Sequence, residues 1–428
     1  MQETQKVKKR RAWNGPKVNH SRLKKDIFDL SRIGLNTDDN GIYRIAFSEA
    51  DMEGRDWLLK RIREAGLTGV VDGAGNVFGR MPESDSVPAV LAGSHLDSVP
   101  CGGALDGALG VLTVLECMRT ITENGYHTKY PVELVAFSDE EGRFGGMFGS
   151  QAFVGDITPE RIYSSVDADG ILLTDVMEAR GMDPLKALDA WRDPELVHAY
   201  LELHIEQGPV LENHGEDIGI VEGIAGLFKW QIRLRGNANH EGTTPMHLRN
   251  DAFLALADFA HEIPRVLDEN GTEHSRATIG KVELSPGFPH TIPGQAEFTL
   301  VVRDATSEKL DELEIAFRKA LSAIARKAAL MFEFDIVSRI EPTSSDPKIV
   351  DQIAHVAGNM QLKHRRMYSG AGHDAQFLSR ITSSGMIFVP SKGGVSHSPG
   401  EWTDWHFIQH GANVMLNTLL SVAELKNS

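Results

Sequence analysis

Apolar and polar positions follow two distinct rhythms along the chain. In the first, apolar residues recur every three or four positions over residues 18–31 and 51–65, which predicts two helices. Apolar runs at 76–80, 87–93 and 131–137 predict strands. Between the last two, Leu109, Leu112, Thr113, Glu116 and Thr120 fall at helical spacing, in a segment over 106–125 closed by Gly125. Strands alternating with helices imply an α/β fold, a doubly wound, largely parallel or mixed sheet with helices on both faces. Such sheets carry their ligands beyond the carboxyl ends of the strands.

The second rhythm begins near Gly226. Residues 228–235 alternate as a half-exposed strand, 248–270 read as a helix that Pro264 is expected to kink or end, and 277–284 and 296–303 read as strands. A long helix over 307–329 and a strand over 331–337 follow. The order β-α-β-β-α-β is that of a ferredoxin-like unit. It predicts a module at 226–338 inserted into a larger domain made of 1–225 and 339–428. The second piece holds helices over 347–360 and after Trp405, and residues 1–17 form a basic tail expected to be mobile.

Composition narrows the class. Of 428 residues, 41% are hydrophobic and 24% charged, the balance of a globular protein. The net charge is −16, yet the first 25 residues hold nine basic side chains and one acid, so the rest of the chain carries −24. So acidic a body argues against nucleic acid or an anionic membrane as a partner. No apolar run is long enough to span a bilayer, and the basic N-terminus lacks the apolar stretch of a secretory signal. Cys101 and Cys117 are the only cysteines, too few for a disulfide framework, and a cytoplasmic location is expected.

Potential metal ligands cluster where strands should end. His95 and Asp97 follow the strand at 87–93, and a histidine there is placed to ligate through one ring nitrogen while Asp97 accepts a hydrogen bond from the other or from a neighbour. Asp106 sits behind Gly102 and Gly103 at a helix start, where a simple N-cap is the plainer reading, but its two oxygens also suit a bridge between cations. Asp139, Glu140 and Glu141 end the next strand, and adjacent acids there repel one another unless cations intervene. His204 ends an alternating strand, where a lone histidine is more often a satisfied core residue, and His397 follows the strand at 386–389. Together, carboxylates and histidines without thiolates describe a binuclear site for zinc, manganese, cobalt or nickel.

These motifs resemble one known family. GSHLDSVPCGGALDG (93–107), SDEEGRFGGMFGS (138–150), HIEQGPVLE (204–212), GNANHEGTTPM (236–246), SGAGHDA (369–375) and GGVSHSPGEWT (393–403) are similar to those of the zinc-dependent hydantoinase/carbamoylase group. That group includes N-carbamoyl-L-amino-acid hydrolases, allantoate amidohydrolases and β-ureidopropionases, within a wider clan of metallohydrolases. The resemblance implies two divalent metal ions per subunit, with His95, Asp106 and His204 as ligands of one and the shared position. Asp106 then bridges, and Glu141 and His397 complete the second. It implies Glu140 as general base and Asp97 as the partner of the first histidine. It also makes the inserted module a lid and dimerisation domain, from which His240 reaches a neighbouring active site across a homodimer and stabilises an oxyanion. Gln207 and Arg303 match substrate-binding positions, Arg303 as a clamp on a substrate carboxylate, and the loop around Gly372 and His373 matches the pocket floor.

The sequence departs from the family pattern at His290, where members that recognise carbamoyl amino acids usually carry asparagine, and at Val301-Val302, where an acid often stands. Imidazole lacks the paired donor and acceptor of a carboxamide. The expected activity is therefore metal-dependent hydrolysis of a linear, non-peptide C–N bond in a small carboxylate substrate. An N-carbamoyl-L-amino acid is the leading substrate. Allantoate, ureidoglycolate, β-ureidopropionate or another N-acyl amide are the alternatives, and an inactive binding or assembly protein is the rival from another class.

Overall fold

The computed structural model describes residues 13–81 and 87–426. Most of the basic tail read at 1–17 lies outside the described residues, which begin at Trp13. Six strands come first: β1 (Thr68–Val71), β2 (Val77–Arg80), β3 (Ala89–His95), β4 (Val132–Phe137), β5 (Val197–Ile205) and β6 (Ile218–Ile224). Then follow β7 (Gly226–Arg235), β8 (Arg276–Thr278), β9 (Val282–Ser285), β10 (Gln295–Asp304) and β11 (Met331–Ile340). β12 (Thr343–Ser344), β13 (His364–Ser369) and β14 (Ser384–Val389) complete the set among the described residues.

Nine strands form one mixed sheet in the order β1-β2-β4-β3-β5-β14-β6-β12, with β13 paired to β6. β4, β3, β5 and β14 are mutually parallel, so their carboxyl ends emerge along one edge. Every residue of β3, β4 and β14 is buried, which is why these strands read as continuous apolar runs rather than alternations. The helix Ala108–Glu123 is buried over nearly its whole length. Gly110 lets it lie close, since a Cβ there would stand 2.4 Å from the carbonyl oxygen of Leu203. That contact sets the helix start, and Asp106 before it, beside the ends of β3 and β5.

The five remaining strands form a separate antiparallel sheet, β11-β7-β10-β8 with β9 beside β10. This is the strand order of the expected ferredoxin-like unit. β7 alternates buried and half-buried residues, and Phe228, Trp230, Ile232 and Leu234 pack with Phe259 and Phe317 from the helices Ala252–Asn270 and Ser307–Lys327. The chain divides into two compact units, the larger comprising Met1–Glu222, Ser345–Met367 and His373–Ser428, the smaller Gly223–Ser344 and Tyr368–Gly372.

Two sequence expectations change here. Pro264 does not end its helix, which runs on to Asn270, and it lies on the exposed face. There water can serve the carbonyl that loses its partner, while Ala255, Leu256, Phe259 and Val266 hold the opposite face in the core. The strand expected over 277–284 is two short strands, β8 and β9, each paired separately to β10.

Candidate metal centre

Asp106 is the hinge of the site. Its Oδ1 lies 3.1 Å from His204 Nε2 and 3.7 Å from His95 Nε2, and its Oδ2 lies 3.3 Å from His397 Nε2. His397 Nε2 is in turn 3.4 Å from Glu141 Oε2. Two groups of converging ligand atoms result, His95–Asp106–His204 and Asp106–Glu141–His397, sharing one carboxylate. Backbone carbonyls hold the rings: His95 Nδ1 meets the Asp97 carbonyl at 3.0 Å and His204 Nδ1 meets that of Ile205 at 2.9 Å. With Nδ1 so engaged, each Nε2 faces Asp106, and that of His204 also lies 3.2 Å from the Gly107 N–H.

Of the two partners expected for the Asp97 carboxylate, the structure gives the neighbour and not the His95 ring. That carboxylate is 3.8 Å from the ring, too far for a hydrogen bond. It accepts instead the N–H groups of Glu140 and Glu141, at 3.3 and 3.1 Å. Asp97 therefore holds the acidic loop with its side chain and His95 with its backbone. Asp139, at positive φ, likewise accepts from Phe144 N–H at 3.0 Å and turns the chain so that Glu140 and Glu141 point to the centre.

The electrostatics of this cluster call for cations. Asp97, Asp106, Asp139, Glu202, Asp374 and Glu401 are buried, and the side chains of Glu140 and Glu141 nearly so. Burial pushes Glu141 up to about 8, with the nearby Asp106 carboxylate adding to the shift. Burial also lifts Asp97 to about 7, and takes Glu140 well above the usual carboxylate range with help from Asp374 and Glu141. Asp106 goes the other way: burial would raise it, but hydrogen bonds from His204 and His397 pull it well down. His204 rises to about 9, the Asp106 contact outweighing burial, and His397 rises to about 9 chiefly through Asp106. Burial lowers His95 to about 4. Without cations, this cluster keeps protons on groups that a divalent ion would need bare.

The residues fit two such ions. Oxygen and imidazole donors without thiolate suit zinc, manganese, cobalt or nickel. Ligand atoms 3.1–3.7 Å apart have the spacing of neighbours in a tetrahedral shell with bonds of about 2.0–2.2 Å. Glu141 Oε1 is buried without a hydrogen-bond partner, as expected of an oxygen reserved for a metal.

Other predicted residues fall in both units. Gln207, at positive φ, sends Nε2 to Asp106 Oδ2 at 2.8 Å, while its Oε1 is buried and unpartnered. His240, Arg303, His290 and Gly372 belong to the smaller unit. His240 is exposed, and its Nδ1 accepts the Gly242 N–H at 3.1 Å, which leaves Nε2 to carry the proton. His290 is 85% exposed and lies 3.4 Å from Glu241. Arg303 sits half-buried on β10, and burial lowers its pKa. Gly372 directly precedes His373, whose buried ring stands edge-on to His204 at 4.5 Å. Sequence reasoning missed Glu401. Its Oε1 accepts the N–H of Leu105 and Asp106, and its Oε2 accepts the Ser396 Oγ–H and the His397 N–H. The only signal for it was an acid four residues beyond a ligand histidine.

A mixed sheet whose parallel strand ends converge on a carboxylate shared by two ligand sets is the architecture of a binuclear metallohydrolase. Comparison with known proteins agrees. The family model described as Peptidase family M20/M25/M40 matches residues 91–421. The N-carbamoyl-L-amino-acid amidohydrolase of Paenarthrobacter aurescens is 36% identical over 94% of this chain and 98% of its own. That of Geobacillus stearothermophilus is 38% identical over 95% of this chain and 99% of its own. Allantoate amidohydrolase of Bacillus subtilis is 33% identical over 92% and 95% of the two chains, and a ureidoglycolate hydrolase of Arabidopsis thaliana 32% over 89% and 82%. Among solved structures, a hydantoinase/carbamoylase-family amidase from Burkholderia multivorans superposes with a TM-score of 0.88, at 34% identity over 95% of this chain and 98% of its own. The chain belongs to the M20 family and, within it, to the hydantoinase/carbamoylase amidases, hydrolases of C–N bonds other than peptide bonds.

Proposed function

We propose that this chain hydrolyses N-carbamoyl-L-amino acids to the free amino acid, ammonia and carbon dioxide. The observation that carries the reading is Asp106, with one oxygen toward His95 and His204 and the other toward His397 and Glu141. His95, Asp106, His204, Glu141 and His397 would hold two divalent cations, which when bound supply Lewis acidity and acidify the attacking water to near neutrality.

The chain's own residues do the rest. Glu140 takes the proton of the water that attacks the carbamoyl carbon, then delivers it to the amino-acid nitrogen as that C–N bond breaks. The carbamate released decays to ammonia and carbon dioxide. Burial and the neighbouring acids raise Glu140 above the usual carboxylate range, which favours it as a proton acceptor. The unpartnered Oε1 of Gln207 accepts an N–H of the carbamoyl group, Arg303 grips the substrate carboxylate, and the Gly372 loop floors the pocket. The Nε2–H of His240 donates to the developing oxyanion of a partner subunit in a homodimer built through the smaller unit. No helix among the described residues is long and apolar enough to cross a membrane, and both cysteines are free. Both observations support a cytoplasmic enzyme.

A second reading, hydrolysis of allantoate or ureidoglycolate, draws on His290, an exposed imidazole beside Glu241 in place of the usual asparagine. Metal analysis of the purified protein, with ammonia release measured over carbamoyl amino acids, allantoate, ureidoglycolate and β-ureidopropionate, separates the two. Turnover confined to the ureido acids favours the second reading, and none anywhere overturns both. Replacing His290→Asn should move preference toward carbamoyl amino acids; specificity ratios unchanged across pH would exclude His290 from substrate recognition.

A further inference from the structure

Every ligand side chain of the candidate centre is buried or nearly so except one. His397 is 51% exposed, so packing does not hold it. Its loop is also conformationally demanding: Gly393, Gly394 and His397 all have positive φ. Glu212 accepts the Gly393 N–H at the start of the loop, and one buried carboxylate restrains the residues next to the ligand itself. Glu401, 3% exposed, accepts Ser396 Oγ–H at 3.0 Å and His397 N–H at 3.3 Å through Oε2. Through Oε1 it accepts Leu105 N–H at 3.1 Å and Asp106 N–H at 3.0 Å. Ser396 Oγ also stands 3.3 Å from Asp106 Oδ2. The two loops come from opposite ends of the larger unit's sequence, and Glu401 joins them.

We infer that Glu401 is the positioning residue of the second cation site, tying the His397 loop to the Asp106 turn so that His397, Asp106 and Glu141 converge. The first site needs no such tie, because His95 and His204 are buried and held by backbone carbonyls. Glu401 suits the task because its two oxygens accept from four donors at once. A glutamine keeps the shape but turns an N–H₂ toward one pair of them. Gly103 leaves room for the carboxylate, since a Cβ there would stand 2.3 Å from Glu401 Oε1.

The inference rests on the two-cation reading, and its test separates the two. Metal-free wild type, Glu401→Gln and Gly103→Ala are titrated with cobalt(II), followed by visible absorption and calorimetry, beside thermal unfolding of the metal-free proteins. Wild type binding fewer than two equivalents refutes the two-cation reading itself. With two bound, the expected result for both variants is an unchanged first equivalent and a second weakened about 10–100-fold, the usual effect of losing a ligand's supporting partner. Wild-type affinity for both equivalents, or equal weakening of both, overturns the inference. Should Glu401→Gln fail to fold, Ser396→Ala removes one donor of the same tie. It should weaken the second equivalent alone, and no change there is equally fatal.

Discussion

Glu140 stands 3.7 Å from His95 Nε2 on a loop whose backbone is pinned by Asp97, so its role can be tested without disturbing its surroundings. Glu140→Gln keeps the volume and removes the proton acceptor. We expect a folded variant with wild-type metal content and turnover reduced about 10²–10⁴-fold; near-normal turnover in metal-replete protein would assign the base elsewhere. The cluster also sets a pH dependence. His204 and His397 sit near 9 instead of 6.5, and Glu141 near 8 instead of 4.5. Folded, metal-free protein thus keeps protons that the unfolded chain has lost, and its stability falls as pH rises. The opposing change at His95, between about 4 and 6.5, is complete by pH 7. The melting temperature of chelated protein should therefore drop from pH 7 to 9, and the gap to metal-loaded protein should widen. A constant gap would contradict the proton–metal competition.

At the scale of elements, the start of helix Ala108–Glu123 carries most of the geometry. Gly107 has φ +62°, and a Cβ there would stand 2.4 Å from the His95 ring. Gly107→Ala should displace that ring or the helix start and cost about 10²-fold in kcat/KM, the scale of an ångström's misplacement. Gly125→Ala, at φ +64° with nothing within 4 Å, is the matched control and should keep wild-type activity. Equal behaviour of the two variants would remove Gly107 from the site. The sequence announced this helix and the alternating β7 because each has a clean period, and the buried strands β3, β4 and β14 because each is a short apolar run. It was silent on the helices Phe148–Val154, Pro159–Ser164 and Leu173–Ala179, too short to show one, and on β13, whose residues are mostly half-buried and polar. The candidate ligands were legible because they lie in motifs at strand ends or, for Asp106, at a helix start. Glu401 was not, nor was the identity of the neighbours that Asp97 holds, because most of these donors are backbone N–H groups that have no letter in the sequence.

For the molecule as a whole, the candidate centre and His240 belong to different compact units, and the proposed dimer supplies the histidine from the neighbouring subunit. Nδ1 of His240 is occupied by Gly242 N–H, so Nε2 is its one outward donor. It takes no part in the cation ligand sets. His240→Ala should leave metal content intact and cost on the order of 10²–10³-fold in rate. Two-fold symmetry then makes a sharper prediction than either single variant. In a dimer of one His240→Ala and one Glu140→Gln subunit, one site has lost both residues and the other has both. Random exchange between the two inactive proteins should restore about a quarter of wild-type activity. Recovery should follow the kinetics of subunit exchange, monitored by pairing differently tagged chains. Exchanged dimers that stay inactive would show that each subunit uses its own His240.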